Sequence, residues 1–363
     1  MKCPPHYCFF SLGSWEINAS LTRLRHLGTE FLRRGLRVTY LVDDLPFNRQ
    51  GLALSPEATV EFVSPAQGLG QFAARRAILR RIQADYVHVL DPSAKSWLTL
   101  RSLPEQKLVV DWDEWLAQKP LGWSRNLREA FLERWHRRRA SLLVVASHYM
   151  QDQFTARYGV SPLYLPYATY EDVKPAAASP FTEPTAVYMG SLFAGYDHDL
   201  IFEAAVLLRK RGLTPRIEFV GFGPQLERWR QFVREQGLEN VHLPGYLPAD
   251  DMWARLRHAH VLLFPIRPTI GNLSRCPSKT YAYAQTRRPV ITCRVGEVPH
   301  TLGDKAQYID PTPQAFADAL AGAMTRSQPD VDYGIERHNW AARADTLLAA
   351  LQSLNQNPSD RTN

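Results

Sequence analysis

The densest chemistry in the sequence lies between Arg267 and Ile291. A polar, glycine-containing loop from Arg267 runs through Pro277 into a helical pattern whose first turn carries Ser278 and Lys279. A helix start offers unpaired N–H groups and the positive end of its dipole, which suits phosphate. Arg275 and Lys279 add formal positive charge there. Without context, the same segment also reads as a loop with two solvated basic residues. Three glycine corners precede it, each closing an apolar strand pattern: Gly190-Ser191, Gly221-Phe222-Gly223 and Gly245-Tyr246. Glycine at the C-terminal end of a strand lets backbone approach a ligand, and open α/β sheets bind ligands along that edge. The dinucleotide fingerprint is incomplete, because Leu226 stands where its third glycine would fall, and there is no P-loop. In the first half, Asp111-Trp112-Asp113-Glu114 follows an apolar run. It has the spelling of a metal-binding D-x-D pair but reads better as the start of a loop on an acceptor-binding edge, so no metal site is expected.

Positioning these residues requires a repeated strand–helix alternation. In the first half, strands are expected at 7–12, 37–42, 60–63, 86–90, 108–111, 142–146 and 163–165, with the first helix at 19–34. The proline- and alanine-rich stretch 174–184 has no periodicity and reads as a linker. A second set follows, with strands at 186–189, 216–220, 241–243, 261–264, 290–292 and 306–309 and helices between them. A helix at 340–354 closes the chain, followed by a polar tail expected to fray. Alternation of this kind favours mostly parallel sheets covered on both faces. The expected domains are residues 1–175, a linker at 176–184, residues 185–335, and a C-terminal helix within 336–363 that packs back towards the first domain.

The chain has 363 residues, of which 45% are hydrophobic and 22% charged, ordinary values for a folded two-domain protein. Its four cysteines (Cys3, Cys8, Cys276 and Cys293) form no C-x-x-C pair, which argues against a disulfide framework or a structural zinc and favours a reduced, cytoplasmic setting. No apolar run is long enough to span a bilayer, and the start of the chain reads as a strand rather than a signal peptide. The formal charge of +7 is uneven: residues 1–176 hold 23 Lys+Arg against 17 Asp+Glu, and the remainder 20 against 19. The basic excess gathers at Arg23, Arg25, Arg33, Arg34 and Arg37, at Arg75, Arg76, Arg80 and Arg81, and at Arg134, Arg137, Arg138 and Arg139. Such clusters either dock on anionic lipid or phosphate, or are solvated helix faces. No nucleic-acid-binding module is visible, and the basic residues fall on separate helices.

From about residue 186 to 324 the motifs V-Y-M-G-S-L, I-F-E-A-A, F-V-G-F-G-P, N-V-H-L-P-G-Y-L, V-L-L-F-P and P-S-K-T-Y-A-Y-A-Q-T-R-R-P-V-I occur in that order. This series resembles the donor domain of GT-B glycosyltransferases, especially glycosyltransferase family 4. The first half is similar more loosely, through F-F-S-L-G, E-F-L-R-R-G-L-R-V-T-Y, A-D-Y-V-H-V and A-S-H-Y-M. The resemblance implies an α/β GT-B fold, two Rossmann-like domains facing across a cleft. It implies that Gly190 and Ser191 approach the donor diphosphate, that Phe222, Gly223 and Tyr246 lie near the base, and that Gly271 and Asn272 present backbone N–H groups. Arg275, Lys279 and Ser278 would serve the leaving diphosphate, and Gly13 and Ser14 would face it from the first domain. Asp113, with Asp91 as second choice, would stand near the reacting sugar carbon. The sequence departs from the family at Ser274 and Ala282, where the family has two glutamates eight positions apart. Glu203 and Glu297 are then the candidates for gripping the ribose. Ser191 stands in place of the family's arginine, and Asp197 falls at about the position of its lysine.

The expected function is transfer of a sugar from a nucleotide-sugar, with a UDP-sugar favoured, to a saccharide or lipid-linked acceptor in polysaccharide assembly. It needs no metal and no cofactor beyond the donor, retains the anomeric configuration, and operates in the cytoplasm with contact to an anionic inner membrane face. Trp15, Trp112, Trp115 and Trp123 are compatible with sugar or lipid contact and equally with core packing. A non-catalytic scaffold would explain the missing glutamates, and a sugar-nucleotide epimerase or a phosphorylase would share the architecture.

Overall fold

The computed structural model describes residues 4–13, 19–53, 55–103, 107–115, 122–170, 178–327 and 329–356. The chain divides into two compact units. Unit 1 comprises residues 1–168, 273–276 and 338–363; unit 2 comprises 169–272 and 277–337.

Unit 1 alternates strictly between strand and helix: β1 (His6–Phe10), α1 (Ala19–Arg33), β2 (Arg37–Asp43), α2 (Pro46–Leu52), β3 (Thr59–Val63), α3 (Gly70–Ile82), β4 (Tyr86–Leu90), α4 (Ala94–Leu100), β5 (Lys107–Trp112), α5 (Trp123–Arg139), β6 (Leu142–Val145), α6 (His148–Tyr158) and β7 (Leu163–Tyr164). All seven strands are parallel, in the order β3-β2-β1-β4-β5-β6-β7. The two central strands, β1 and β4, are buried along their whole length, as a sheet covered on both faces requires. Around β1 the core is aromatic: Tyr7 meets Phe31 edge-on at 4.8 Å and Phe9 stacks on Tyr40 at 5.6 Å. Helix α1 comes close to this layer because Gly28 has no side chain; a Cβ there would overlap the Tyr40 hydroxyl.

Unit 2 contains β8 (Thr185–Met189), α7 (Asp199–Lys210), β9 (Arg216–Val220), α8 (Leu226–Glu235), β10 (Val241–Gly245), α9 (Ala249–His258), β11 (Val261–Phe264), the first three residues of α10 (Ile270–Ser274), α11 (Ser278–Thr286), β12 (Val290–Thr292), α12 (Val298–Leu302), β13 (Gln307–Tyr308) and α13 (Pro313–Met324). Its six strands are again parallel, in the order β10-β9-β8-β11-β12-β13. Phe202 of α7 is sandwiched between Phe219 of β9 at 4.3 Å and Trp229 of α8 at 4.2 Å, which fixes both helices to the sheet.

The last helix, α14 (Trp340–Gln356), belongs to unit 1. Trp340 stacks on His26 of α1 at 5.1 Å, Arg34 Nε donates to Asp345 at 2.8 Å, and Asn355 Nδ2 donates to the Tyr86 hydroxyl at 2.7 Å.

Two expectations need correction, and one open alternative is resolved in part. The division falls between Ala168 and Thr169, ahead of the 176–184 stretch, and residues 273–276 join unit 1 although they lie within the expected second domain. Arg23 and Arg75 are not on a solvated or docking face: both side chains are fully buried, paired with Asp111 and Asp43. A buried guanidinium is tolerable only with such a partner, which is why each faces an aspartate on a strand. Trp112 and Trp115 are core residues, whereas Trp123 is 81% exposed; Trp15 lies outside the described residues.

Candidate donor and acceptor edges

In each sheet the connections reverse direction at one point, between β1 and β4 in unit 1 and between β8 and β11 in unit 2. Ligands of open α/β sheets bind beyond the C-terminal strand ends at such a switch point. The chemistry-bearing residues gather at these two places.

In unit 2, β8 ends at Met189 and Gly190 turns the chain at φ +143°. The corners after β8, β9 and β10 are joined by 2.9 Å backbone bonds from Gly190 N–H to Val220, Leu192 N–H to Phe222 and Gly221 N–H to Gly245. A Cβ on Gly221 would overlap the Gly190 carbonyl, and one on Gly223 would lie 2.6 Å from the Leu192 oxygen. Close backbone approach therefore accounts for these glycines before any ligand is considered. At Gly190 the neighbour differs in kind: a Cβ there would collide with the Lys279 ammonium.

Lys279 reaches this corner from the first turn of α11. Its Nζ donates to the Tyr188 hydroxyl at 2.7 Å and lies 4.2 Å from the Tyr188 ring centroid and 5.1 Å from that of Phe264. Tyr188 is on β8 and Phe264 ends β11, so the cation lies at the switch point of unit 2. The Tyr188 hydroxyl is in turn 2.9 Å from His198 Nε2. Helix α11 is clamped across the same gap by Tyr283, whose hydroxyl accepts from Met189 N–H on β8 at 2.8 Å and donates to the Leu263 carbonyl on β11 at 3.1 Å. Small buried residues, Ala282 and Ala284, let the helix lie close. The ammonium is thus held by rigid elements rather than by a loop.

The other donor-side residues are distributed as follows. Phe222 and Tyr246 meet edge-on at 5.7 Å, with Tyr246 63% exposed. Ser191 and Ser278 are half-buried, and the Ser278 side chain bonds to Tyr170. Gly271 is the second residue of the five-residue α10. Asn272 requires correction: its backbone N–H goes to Thr269 Oγ1 at 3.3 Å, and its side-chain amide donates to Asp197 and to the Arg267 carbonyl, both at 2.8 Å. Asp197, at φ +54°, also accepts from the Arg267 backbone and guanidinium at 2.9 Å each. Asn272 therefore ties the loop in place. Ser274 and Ala282, the two positions of the glutamate pair, are fully buried. Arg275 is half-buried, within the segment that joins unit 1.

In unit 1 the switch point is acidic. Asp91 follows β4 at φ +49°, a conformation that aspartate tolerates better than most side chains. Its backbone N–H donates to the Asp111 carbonyl at 3.0 Å, and its carboxylate accepts from Asp113 N–H at 3.4 Å. Asp113 accepts from the Tyr167 hydroxyl at 2.9 Å. Desolvation first, then the charges of Asp113, Asp111 and Glu114, push the Asp91 carboxyl up to about 8. Asp111 is a structural residue. Burial would raise it, but Arg23 (3.0 and 3.3 Å) and His88 (3.1 Å) outweigh burial and leave its carboxyl below the usual value. Tyr7 completes the buried chain, 2.9 Å from His88 Nδ1. Both oxygens of Asp111 are thus engaged, so the D-x-D spelling does not place two free carboxylates on one loop. Gly13 N–H donates to Asp43 at 3.1 Å, and its carbonyl accepts from Asn48 at 2.9 Å, which fixes the end of the β1 loop; Ser14 lies outside the described residues.

Sequence reasoning missed Tyr188, His198 and Tyr283. Their only trace was the sequence position of Tyr188, two residues before a glycine corner, and of Tyr283, four after Lys279.

Comparison with known proteins identifies the family and the fold. Residues 183–326 match the family model described as glycosyl transferases group 1, and residues 19–167 match a glycosyl transferase 4-like domain. A protein assigned as the colanic acid biosynthesis glycosyltransferase WcaL of Escherichia coli K12 is 25% identical over 165 residues, which is 41% of each chain. Its Salmonella typhimurium counterpart is 28% identical over 125 residues, 34% of this chain and 30% of that one. The matches span less than half the length of these relatives. Among solved structures, sucrose-phosphate synthase from Thermosynechococcus elongatus superposes with a TM-score of 0.75 at 15% identity, covering 97% of this chain and 99% of that one. HepE of Anabaena, in complex with UDP and glucose, gives 0.73 at 13% identity, covering 96% and 100%. A protein assigned as a UDP-N-acetylglucosamine 2-epimerase of Listeria monocytogenes gives 0.64 at 12%, covering 99% and 98%, so overall shape alone does not separate transferase from epimerase.

Proposed function

We propose, from the premise that the chain belongs to the group 1 glycosyltransferases of the GT-B fold, that it moves a sugar from a UDP-sugar to a hydroxyl of a saccharide or lipid-linked acceptor during polysaccharide or glycoconjugate assembly. The observation that carries this reading is the Lys279 ammonium, fixed by Tyr188 against the Gly190 corner at the switch point of unit 2. A pyrophosphate placed there would meet a formal cation, the start of α11 and a turn without a side chain. The UDP bound by HepE favours uridine as the base.

Displacement of a nucleoside diphosphate builds negative charge on the leaving phosphate and positive charge on the sugar carbon. Lys279 answers the first, and in this reading Arg275 is a second cation and no metal is needed. Asp113, oriented by Tyr167, answers the second, with retention of the anomeric configuration; Asp91, whose carboxyl is raised to about 8, stands beside it mostly protonated. Phe222 and Tyr246 offer the base an aromatic corner. Ala282 offers the ribose no carboxylate, so that recognition is either lost or supplied by another residue. Glu203 is exposed in the middle of α7, and Glu297 lies beyond the C-terminal end of β12 but is buried; both stand as candidates. The setting we propose is cytoplasmic, at the inner face of a membrane; among the described residues no helix is long and apolar enough to cross one.

A thermal-shift screen with UDP, GDP, ADP and TDP tests the donor class. A nucleotide at 100 times its Kd stabilises the native state by about 2.7 kcal/mol, which raises the midpoint by several degrees. A shift with UDP alone is expected. No shift with any nucleotide and no turnover of any donor would leave a non-catalytic scaffold; conversion of a UDP-sugar without acceptor would make it an epimerase.

A further inference from the structure

Unit 1 leaves five large apolar side chains exposed among the described residues: Phe47, Leu69, Trp123, Leu127 and Phe131. All five lie on connections that leave the C-terminal ends of strands. Phe47 is on α2 after β2, Leu69 immediately precedes α3 after β3, and the other three are on α5 after β5. Asp91 and Asp113 stand at the ends of β4 and β5, on the edge from which these connections start. Three of the five form a stripe, because Trp123, Leu127 and Phe131 are spaced four apart and so share one helix face. Trp123 is 81% exposed, an unusual place for the largest apolar side chain.

Helix α5 departs from an ordinary surface helix, because besides Leu132 and His136 it buries both of its acids. Glu129 accepts from Arg128, and Glu133 accepts from Trp115 Nε1 at 2.5 Å and from the Tyr158 hydroxyl. The charges left outside are Arg125, Arg128, Arg134 and Arg138. Arg134 and Arg138 continue the face that the apolar stripe begins, so one face is aromatic and aliphatic in its first turns and cationic in its last. Helix α4 extends the same composition sideways: Trp97 meets Phe131 edge-on at 5.6 Å, and Arg101 lies 4.8 Å over the Trp97 ring.

We infer that this face of α5 docks on an anionic lipid bilayer. Trp, Leu and Phe enter the boundary between headgroups and acyl chains, and the flanking arginines meet phosphates. A water-facing helix with outward tryptophan and inward glutamates has the charge pattern such a surface selects. Because α5 starts at the edge that bears Asp113, docking would present the acceptor-side carboxylates to a substrate held in the membrane. The inference rests on the proposed lipid-linked acceptor for its purpose, and on the exposure and charge of α5 for its physics.

The test is co-sedimentation of the full chain with vesicles of mixed phosphatidylglycerol and phosphatidylcholine and with pure phosphatidylcholine. Binding to the anionic vesicles, weakened by salt, is expected. Trp123→Ser combined with Leu127→Ser and Phe131→Ser should lower the bound fraction at least about tenfold, and Arg134→Glu with Arg138→Glu several-fold. Both variants should keep the wild-type circular dichroism and the thermal shift with UDP. Equal binding by wild type and variants, or none by wild type, overturns the inference. A wild-type dimer that the serine variant dissociates, with no vesicle binding, would assign the face to a second copy instead. Loss of the UDP shift in every protein with vesicle binding intact would sink the donor reading and leave this surface standing.

Discussion

The two units share one topology and hold opposite charge at the same place in it. At the switch point of unit 2 an ammonium, Lys279, is fixed between two aromatic rings. At that of unit 1 stand two carboxylates, Asp91 and Asp113, with a third, Asp111, neutralised beneath them by Arg23. A parallel sheet supplies only an edge and the backbone dipoles around it. The side chains that arrive there decide whether the edge serves an anion or a developing cation. The contrast is also one of construction. Lys279 is positioned by a helix clamped to both flanking strands through Tyr283, whereas Asp91 and Asp113 lie on short turns and are placed by each other and by Tyr167.

The comparison breaks most visibly at Lys279. Lys279→Ala should lower turnover by about 100-fold or more, since removing one preorganised donor to developing negative charge costs roughly 3 kcal/mol. Steady-state transfer from a UDP-sugar, with circular dichroism as a check on folding, reads this directly. Turnover within a few-fold of wild type would remove the cation from the mechanism.

In unit 1 the largest effect should be on stability. Arg23→Met leaves Asp111 fully buried with only His88 beside it, and breaking a buried pair in this way costs about 3–5 kcal/mol. Urea denaturation measures the loss. A variant as stable as wild type would show that the Arg23–Asp111 pair is not what holds the layer under Asp91.

The smallest effect sharpens the acidic side. The folded-state carboxyl of Asp91 is raised to about 8 from an ordinary 3.8, so its contribution is full at acidic pH and is lost as pH rises through about 8. Asp91→Asn cannot titrate and tolerates the same positive φ. Its stability relative to wild type should therefore improve steadily from about pH 4 to about pH 8 and level off above that. Denaturation midpoints of both proteins across that range would test it; curves that stay parallel would mean that Asp91 ionises normally.

Part of this arrangement was legible in the chain itself. Strand–helix alternation announces a parallel sheet, because strands covered on both faces must be largely apolar, and β1 and β4 are, apart from His6 and His88. Glycines 221 and 223 mark close backbone approach, because a Cβ on either would overlap a neighbouring backbone carbonyl. Lys279 is recognisable as a cation in the first turn of a helix after a proline. These are local properties, set by neighbours within a few positions. Residues from distant segments could not be gathered this way: Tyr188 and Tyr283 are ordinary strand and helix aromatics until folding brings them to Lys279 and across the gap.

The fate of each charge was likewise undetermined by sequence. Arg23 and Arg75 sit in arginine-rich stretches that look like their solvated neighbours, yet both are buried, because an aspartate on a facing strand waits for each. On α5 the reverse occurs, with Glu129 and Glu133 buried and Trp123 in solvent. Asn272, which reads as a ligand-facing residue, is taken by Asp197 from 75 positions away. Local sequence determines which element forms and where its backbone turns, since those energies act between near neighbours. Whether a charged side chain is solvated or buried depends on partners that only the tertiary structure supplies, because the cost of desolvating it is offset by a specific opposite charge.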